Sequence, residues 1–184
     1  MKIKHALFAG LLCVSPIASS FVYAKAFNSQ LEIGGGFLAG EDAAGDSTRF
    51  LGMGLTYEWT AIQGILFTND SLITDAGVFY YRLYNFEAIN DQYDVLPVRG
   101  VLKYTIGWTD RLRTSVYGGL LKNNVVATGA TYGMDTTTLN DAQHHLTALL
   151  PAFGATINYR IAGLFGAELN VGTDLIGTGL TVSF

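Results

Sequence analysis

The sequence contains a single cysteine and few charged residues. Cys13 is the only cysteine in 184 residues, which excludes disulfide bonds within the chain and zinc sites built from several thiolates. Charged residues make up 14% of the chain, against about 25% in typical soluble domains. Basic residues are the scarcer sign, with 11 Lys and Arg against 15 Asp and Glu. Nucleic-acid binding needs the opposite balance, so that class of function is excluded.

The first 26 residues have the layout of a secretory signal peptide. Lys2 and Lys4 precede an apolar run over 6–18, and small residues recur at Ala24 and Ala26. The run is shorter than the roughly 20 residues of a membrane-spanning helix. We expect cleavage after Ala24 or Ala26; the alternative is a buried N-terminal helix. Cleavage after Ala26 leaves one cysteine-free domain, 27–184, with 8 basic and 15 acidic residues.

Long apolar runs are also missing after the signal, and apolar residues recur instead at every second position. In 49–59, Leu51, Met53 and Leu55 share one face, while Thr56 and Glu58 lie on the other. The same alternation runs through 31–38, 98–108, 149–160 and 164–171. Strict alternation over such lengths predicts β-strands with one apolar face.

The polar face of these strands is rich in Gly, Thr and Asn, with isolated charges of both signs. A solvent-facing side would carry more Lys and Glu, whereas a narrow barrel interior suits small residues and charges that can pair. We therefore predict an all-β, closed antiparallel up-and-down transmembrane barrel; a soluble sandwich or lipocalin-like barrel is the alternative. The predicted interior charge network comprises Glu32, Glu58, Arg82, Arg99, Lys103, Arg113 and Glu168.

Aromatic residues gather near the predicted strand ends. Trp and Tyr favour the boundary between lipid and water, where the ring is apolar and its polar tip is wet. The predicted membrane-interface aromatics are Tyr57, Trp59, Tyr104, Trp108, Tyr159 and Phe184.

The last eight residues, GTGLTVSF, alternate in the same way and end on an aromatic residue. This stretch resembles the C-terminal targeting signal of bacterial outer-membrane β-barrel proteins, and the predicted assembly signal consists of Gly179, Leu180, Val182 and Phe184. The chain from 27 to 184 resembles the small monomeric barrels of the OmpA, OmpX and OmpW type in architecture. The resemblance implies a monomer without cofactors in the outer membrane of a Gram-negative bacterium. Its implied partners are membrane lipid, lipopolysaccharide and the barrel-assembly machinery.

The strand number follows from the turns and the acidic stretches. Nine candidate strands can be read from the sequence: 30–39, 49–59, 63–69, 76–84, 95–108, 112–124, 147–160, 163–172 and 175–184. Bacterial single-chain barrels have an even number of strands. If the acidic stretches 40–48, 69–75, 87–94, 125–146 and 172–174 are all external, a further short strand near 85–91 is required. Ten strands are therefore favoured, with eight as the alternative.

The longest predicted loop, 125–146, contains the only candidate for catalysis. Adjacent histidines on a strand point to opposite faces, so His144 and His145 are not expected to bind one metal ion, and no metal site is predicted. His145 and Thr147 are similar in spacing to the His-x-Ser pair of lipid A deacylases, with threonine in place of serine and Glu168 as a distant carboxylate.

The favoured function is structural and non-enzymatic. We expect an outer-membrane barrel that displays acidic external loops, with 125–146 available to a surface ligand. One alternative is a narrow channel for small solutes. The other is a lipid-modifying hydrolase that uses His145.

Overall fold

The structure, a computed structural model, describes residues 29–41, 47–85, 91–128 and 147–184, and the regular elements in these ranges are all β-strands. In chain order they are β1 Ser29–Glu41, β2 Ser47–Gln63, β3 Asp70–Asn85, β4 Asp91–Val95, β5 Val98–Gly107, β6 Leu112–Lys122, β7 Val125–Thr128, β8 Leu149–Ala162, β9 Phe165–Gly172 and β10 Leu175–Ser183. The described ranges contain no helix long and apolar enough to cross a membrane. The predicted signal peptide, 1–26, lies outside them.

Eight of the strands close into an antiparallel barrel. Each pairs with its neighbours in the order β1, β2, β3, β5, β6, β8, β9, β10, and β10 pairs back with β1 from Leu175 to Ser183. Closure leaves no unpaired sheet edge along the wall. The prediction of an all-β closed antiparallel barrel is therefore confirmed, and the barrel has eight strands.

The short strands β4 and β7 prolong two barrel strands. β4 leads into β5 through Leu96 and Pro97, and β7 follows β6 after Asn123 and Asn124. Pro97 has no N–H to contribute to the ladder. The Leu96 N–H donates to the Asn124 carbonyl at 2.7 Å, and the Pro97 carbonyl accepts from the Phe79 N–H at 2.9 Å. β4 and β7 are thus continuations of β5 and β6 past a local interruption.

The favoured count of ten barrel strands is not confirmed, because the candidate strand 63–69 is a turn and the wall closes with eight strands. Residues 64–69 form a turn, in which Gly64 has a φ of +68°. The Asp70 carboxylate accepts from the N–H groups of Ile65, Leu66 and Phe67 at 2.6–3.0 Å and so stabilises this turn. The stretch 69–75, expected to be an external loop, instead begins β3. No extra strand is then needed between Asn85 and Asp91; residues 86–90 lie outside the described ranges.

The two ends of the barrel differ. The turn rim carries the short connections 64–69, 108–111 and 163–164, together with the paired residues Ser29 and Phe184. The loop rim, at the opposite end, carries the short turn at 173–174 and the strand ends Glu41, Ser47, Asn85, Asp91 and Thr128. Apart from 69–75, the described parts of the predicted external acidic stretches lie at the loop rim.

Apolar side chains face outward along the wall. Leu51, Met53 and Leu180 are 73%, 69% and 68% exposed, while Thr56, Glu58 and Thr181, on the opposite face of the same strands, are buried inside. This is the reverse of a soluble barrel, in which the apolar face of each strand is buried in the core.

An apolar cluster fills the interior near the loop rim. We use this name for Leu38, Phe79, Tyr81, Val95 and Leu175, which are all buried. Phe50 packs against them, with its ring stacked on Tyr81 at a centroid distance of 4.8 Å. These residues face inward although the sequence pattern placed apolar side chains outside.

Candidate functional site

Lys103 lies at the centre of the barrel interior and is 1% exposed. Its ammonium forms ion pairs with Glu58 and, at 2.9 and 3.0 Å, with Asp75 and Glu168. Three carboxylates from β2, β3 and β9 therefore converge on one cation from β5. Because a buried charge is stable only when it is paired, this ammonium joins four strands through the interior.

Arg99 forms a second centre one step closer to the loop rim. Its Nε is 2.8 Å from Asp174, and its terminal nitrogen is 3.6 Å from Asp75, so Asp75 connects the two cations. The guanidinium also lies over the Tyr117 ring at 4.5 Å, in a cation–π arrangement. The Tyr117 hydroxyl is 2.7 Å from Asp174 Oδ1 and 2.9 Å from Asn170 Oδ1. The ionic cluster, as we use the term, comprises Glu58, Asp75, Arg99, Lys103, Glu168 and Asp174.

Glu32 reaches the same region from β1. Its carboxylate leans over Gly179, where a Cβ atom would collide with it. Gly179 pairs with Glu168 in the β9–β10 ladder, so the Glu32 side chain crosses β10 toward Glu168. Carboxylate oxygens of Glu32, Glu58 and Glu168 lie within 4.8 Å of one another.

The structure brings together most of the residues of the predicted interior network. Glu32, Glu58, Arg99, Lys103 and Glu168 are buried inside the barrel. Arg113 faces inward near the turn rim, on the same face of β6 as Ser115 and Tyr117.

Arg82 departs from that expectation. It lies on the outer face of β3, where its guanidinium pairs with Asp94 at 2.6 Å, and the Tyr80 hydroxyl donates to the same carboxylate at 2.8 Å. The phase of β3 is the reason: Tyr81 faces inward, so the next residue faces outward.

Two members of the ionic cluster, Asp75 and Asp174, were missed in the sequence because both lie in stretches taken as external acidic loops. Asp75 belongs to β3, whose outward residues include Thr74 and Ala76, so no apolar alternation marks the strand there. Asp174 lies in the tight turn between β9 and β10, yet it is fully buried. A short acidic turn between two well-marked strands carries no signal that its side chain points inward.

The predicted interface aromatics lie on the outside of the barrel toward the turn rim. The Tyr57 ring stacks on Trp59 at 6.0 Å and lies 6.5 Å from Phe184. The polar groups of these rings form hydrogen bonds. The Tyr57 hydroxyl donates to Ser29 Oγ, the Tyr104 hydroxyl to the Asp70 carboxylate, and the Trp108 indole N–H to the Thr114 hydroxyl. Tyr159, half exposed near the end of β8, belongs to the same band.

The residues of the predicted assembly signal lie in and just after β10. Gly179 faces inward, Leu180 and Val182 face outward, and the Phe184 N–H donates to the Ser29 carbonyl at 2.9 Å. The signal residues thus belong to the pair of strands that closes the barrel.

The candidate catalytic residue His145 lies outside the described residues, together with His144, Asp141 and most of the loop 125–146. Thr147, the nearest described residue, precedes β8 at the loop rim. Glu168, the carboxylate considered with His145, is held inside the barrel by Lys103 and by Asn158, whose side-chain amide donates to it at 3.2 Å.

The chain is similar in fold to a small outer-membrane barrel of known structure. This is the Yersinia pestis outer membrane protein Ail, described in a phospholipid bilayer nanodisc. The similarity covers 86% of this chain and 100% of the Ail chain, with a TM-score of 0.46 and 11% sequence identity. No protein-family model and no curated protein matches the chain. The likeness is one of barrel fold, and no residue role is transferred from it.

Proposed function

We propose that this protein is an integral outer-membrane β-barrel, a plugged membrane insert that holds its loop-rim connections outside the cell. The observation that carries the proposal is the inverted barrel: an apolar outer wall around a charged interior. Because buried apolar area contributes roughly 25 cal/mol per Å², an outer wall of this kind is stable only against lipid or another apolar surface.

The band of Tyr57, Trp59 and Phe184 supports an orientation in that membrane. Tyr and Trp favour the lipid–water boundary, and bacterial barrels place short turns on the periplasmic side and longer loops outside. The turn rim then faces the periplasm, and the acidic loop-rim connections face outward. A signal peptide over 1–26 and an assembly signal ending at Phe184 fit the same route of export. We further propose that the protein is a monomer in contact with outer-membrane lipid and lipopolysaccharide.

A plug, rather than a channel, is supported by the filling of the interior. The ionic cluster occupies the middle, and the apolar cluster closes the loop-rim side. Eight-stranded barrels are just wide enough for side chains to fill them. The hydrolase alternative depends on His145 and has no support among the described residues. We therefore favour a non-enzymatic role for the barrel and assign contact with a surface ligand to the loop 125–146.

The membrane proposal can be tested with single cysteines, because the chain after a cleaved signal has none. Leu55→Cys lies on the outer wall and Asp110→Cys in an exposed turn. Each variant is labelled with a fluorophore and reconstituted in vesicles that contain brominated lipid. We expect strong quenching at position 55 and little at position 110. Equal quenching at both positions, or equal labelling of both by a membrane-impermeant maleimide after reconstitution, would contradict the proposal.

A second experiment addresses export and assembly. The intact protein should fractionate with the outer membrane and migrate differently on a gel before and after boiling, as a closed barrel does. Deletion of Phe184 should lower the amount of this heat-modifiable form, whereas deletion of 130–143 should not. Recovery of the intact protein as a soluble periplasmic species would overturn the membrane assignment.

A further inference from the structure

The described interior holds more carboxylates than cationic side chains. Five carboxylates are buried there: Glu32, Glu58, Asp75, Glu168 and Asp174. Arg99 and Lys103 are buried among them, and Arg113 faces them from the turn-rim side. Arg160, at the open mouth, interacts with Asp110 of the neighbouring turn and is not counted. With every carboxylate ionised, two negative charges therefore remain, and uncompensated buried charge is strongly unfavourable.

Of the three clustered glutamates, Glu32 is the one that Lys103 does not pair with. This residue is 8% exposed, and no ion pair or hydrogen bond joins its carboxylate to another described residue. Its position over Gly179 nevertheless brings it within 4.8 Å of the oxygens of Glu58 and Glu168. Three carboxylates are thus held close together while Lys103 contacts only two of them.

A hydroxyl oxygen without a partner lies on β10, one inward-facing position from Gly179, over which the Glu32 carboxylate leans. Thr181 is directly opposite Glu32 in the β1–β10 ladder, is 1% exposed, and its Oγ1 has no hydrogen-bond partner. The hydroxyl leans over Gly166, 2.7 Å from where a Cβ would stand, on the side of the strand that carries Glu168. A buried polar atom without a partner costs about 1–3 kcal/mol, so this hydroxyl is available to bind a ligand.

We propose that Glu32, Glu58, Glu168 and the Thr181 hydroxyl bind one divalent cation, Ca²⁺. The donor set consists only of oxygen, which Ca²⁺ prefers, and Ca²⁺–oxygen distances of about 2.3–2.6 Å allow opposed ligand oxygens to be just under 5 Å apart. One divalent ion also neutralises the two remaining charges. Lys103 holds Glu58 and Glu168 from the β5 side. Glu32 reaches the same carboxylates from β1, and the Thr181 hydroxyl lies on β10, where it leans toward β9.

This site departs from the sequence-based expectation of no metal site. Its four ligands come from β1, β2, β9 and β10. They are far apart in the sequence and meet only when the barrel closes. The proposal also gives Gly179 a role besides its place in the assembly signal: only a residue without a side chain leaves room for the Glu32 carboxylate.

The test uses the full barrel, folded in detergent and stripped of metal with a chelator, with Ca²⁺ alone as the probe. Equilibrium dialysis measures bound calcium, and thermal unfolding measures the shift in melting temperature on adding it. We expect one Ca²⁺ per barrel and a higher melting temperature in the wild type. Glu32→Gln should lose both effects, and Thr181→Val should bind about tenfold more weakly.

Asp94→Asn is the matched control, because it removes a carboxylate from the outer face and leaves the interior unchanged. It should bind calcium as the wild type does. The boiled and unboiled forms on a gel show whether each variant is folded, and Thr181→Val provides the test if Glu32→Gln fails to fold. The proposal is overturned if the wild type binds no calcium, or if Asp94→Asn and Glu32→Gln lose calcium binding equally. It is also overturned if acidification raises the melting temperature and calcium does not.

Discussion

In the apolar cluster Leu38, Phe79 and Tyr81 pack together without a charge among them, whereas further along the same barrel interior Lys103 is held by three carboxylates. On β3 the change occurs between Asp75 and Phe79, so a single strand contributes to both regions. Apolar packing is non-directional, and losing one side chain leaves its neighbours in place. In the ionic cluster each group depends on the others, because removing one leaves buried charge behind. The two halves should therefore respond differently to the same kind of substitution.

Removal of the central cation should have the largest effect. Lys103→Met preserves most of the side-chain volume but leaves Glu58, Asp75 and Glu168 facing one another. We expect a loss of about 3–5 kcal/mol in the free energy of unfolding, measured by urea denaturation of the barrel in detergent. Lys122→Met, at an outward-facing position at the end of β6, is the control and should lose under about 1 kcal/mol. Equal losses at both positions would show that the ion pairs do not hold the interior together.

Truncation in the apolar cluster should have a somewhat smaller effect. Leu38→Ala creates a cavity beside Tyr81 and Leu175, and we expect a loss of about 3 kcal/mol in the same denaturation experiment. Leu66→Ala, in the exposed turn 64–69, should change stability by under about 0.5 kcal/mol. A double variant, Lys103→Met with Leu38→Ala, should show nearly additive losses if the two clusters are independent. Strong coupling would mean that they form one unit.

The outer ion pair should contribute least. Arg82 and Asp94 are joined at 2.6 Å, much like the interior pairs, but the Arg82 side chain is 40% exposed. Exposed pairs are worth about 0–1 kcal/mol, so Arg82→Ala should be close to neutral. Arg99→Ala, which leaves Asp174 buried without its cation, should cost several times more in the same experiment. A large loss for Arg82→Ala would show that this outer pair is shielded from water.

The alternation of apolar and polar residues predicted a strand correctly where its outer face is apolar and its inner face is polar. In β2, Leu51, Met53 and Leu55 alternate with glycine and polar residues, and the strand faces as predicted. In β3 the inward positions change from Asp75 to Phe79 and Tyr81, so no single period separates wall from interior. That mixture hid the start of the strand and led to the count of ten.

The candidate site was predictable in kind but not in detail. Isolated charges on the polar face indicated an interior network, because lipid cannot accept them. Which charges meet depends on register, which the sequence does not state: Asp75 reaches Lys103 only because β3 pairs with β5 from Asp70 to Val78. The contact of Asp174 with Arg99 and the position of the Glu32 carboxylate over Gly179 depend on how the barrel closes. Closure brings together strands that are far apart in the chain.

The closing ladder between β1 and β10 contains two pairs of facing glycines. Gly34 faces Gly179 and Gly36 faces Gly177, so the two backbones approach closely with little side-chain packing to lock them. This ladder joins the residues most distant in sequence, and long loops cost the most entropy to close. The β1–β10 ladder should therefore be the last part of the wall to form during folding and the first to exchange its amide hydrogens with solvent. Glu32 and Thr181, the proposed calcium ligands on the two strands of this ladder, would then stabilise the contact that forms last during assembly.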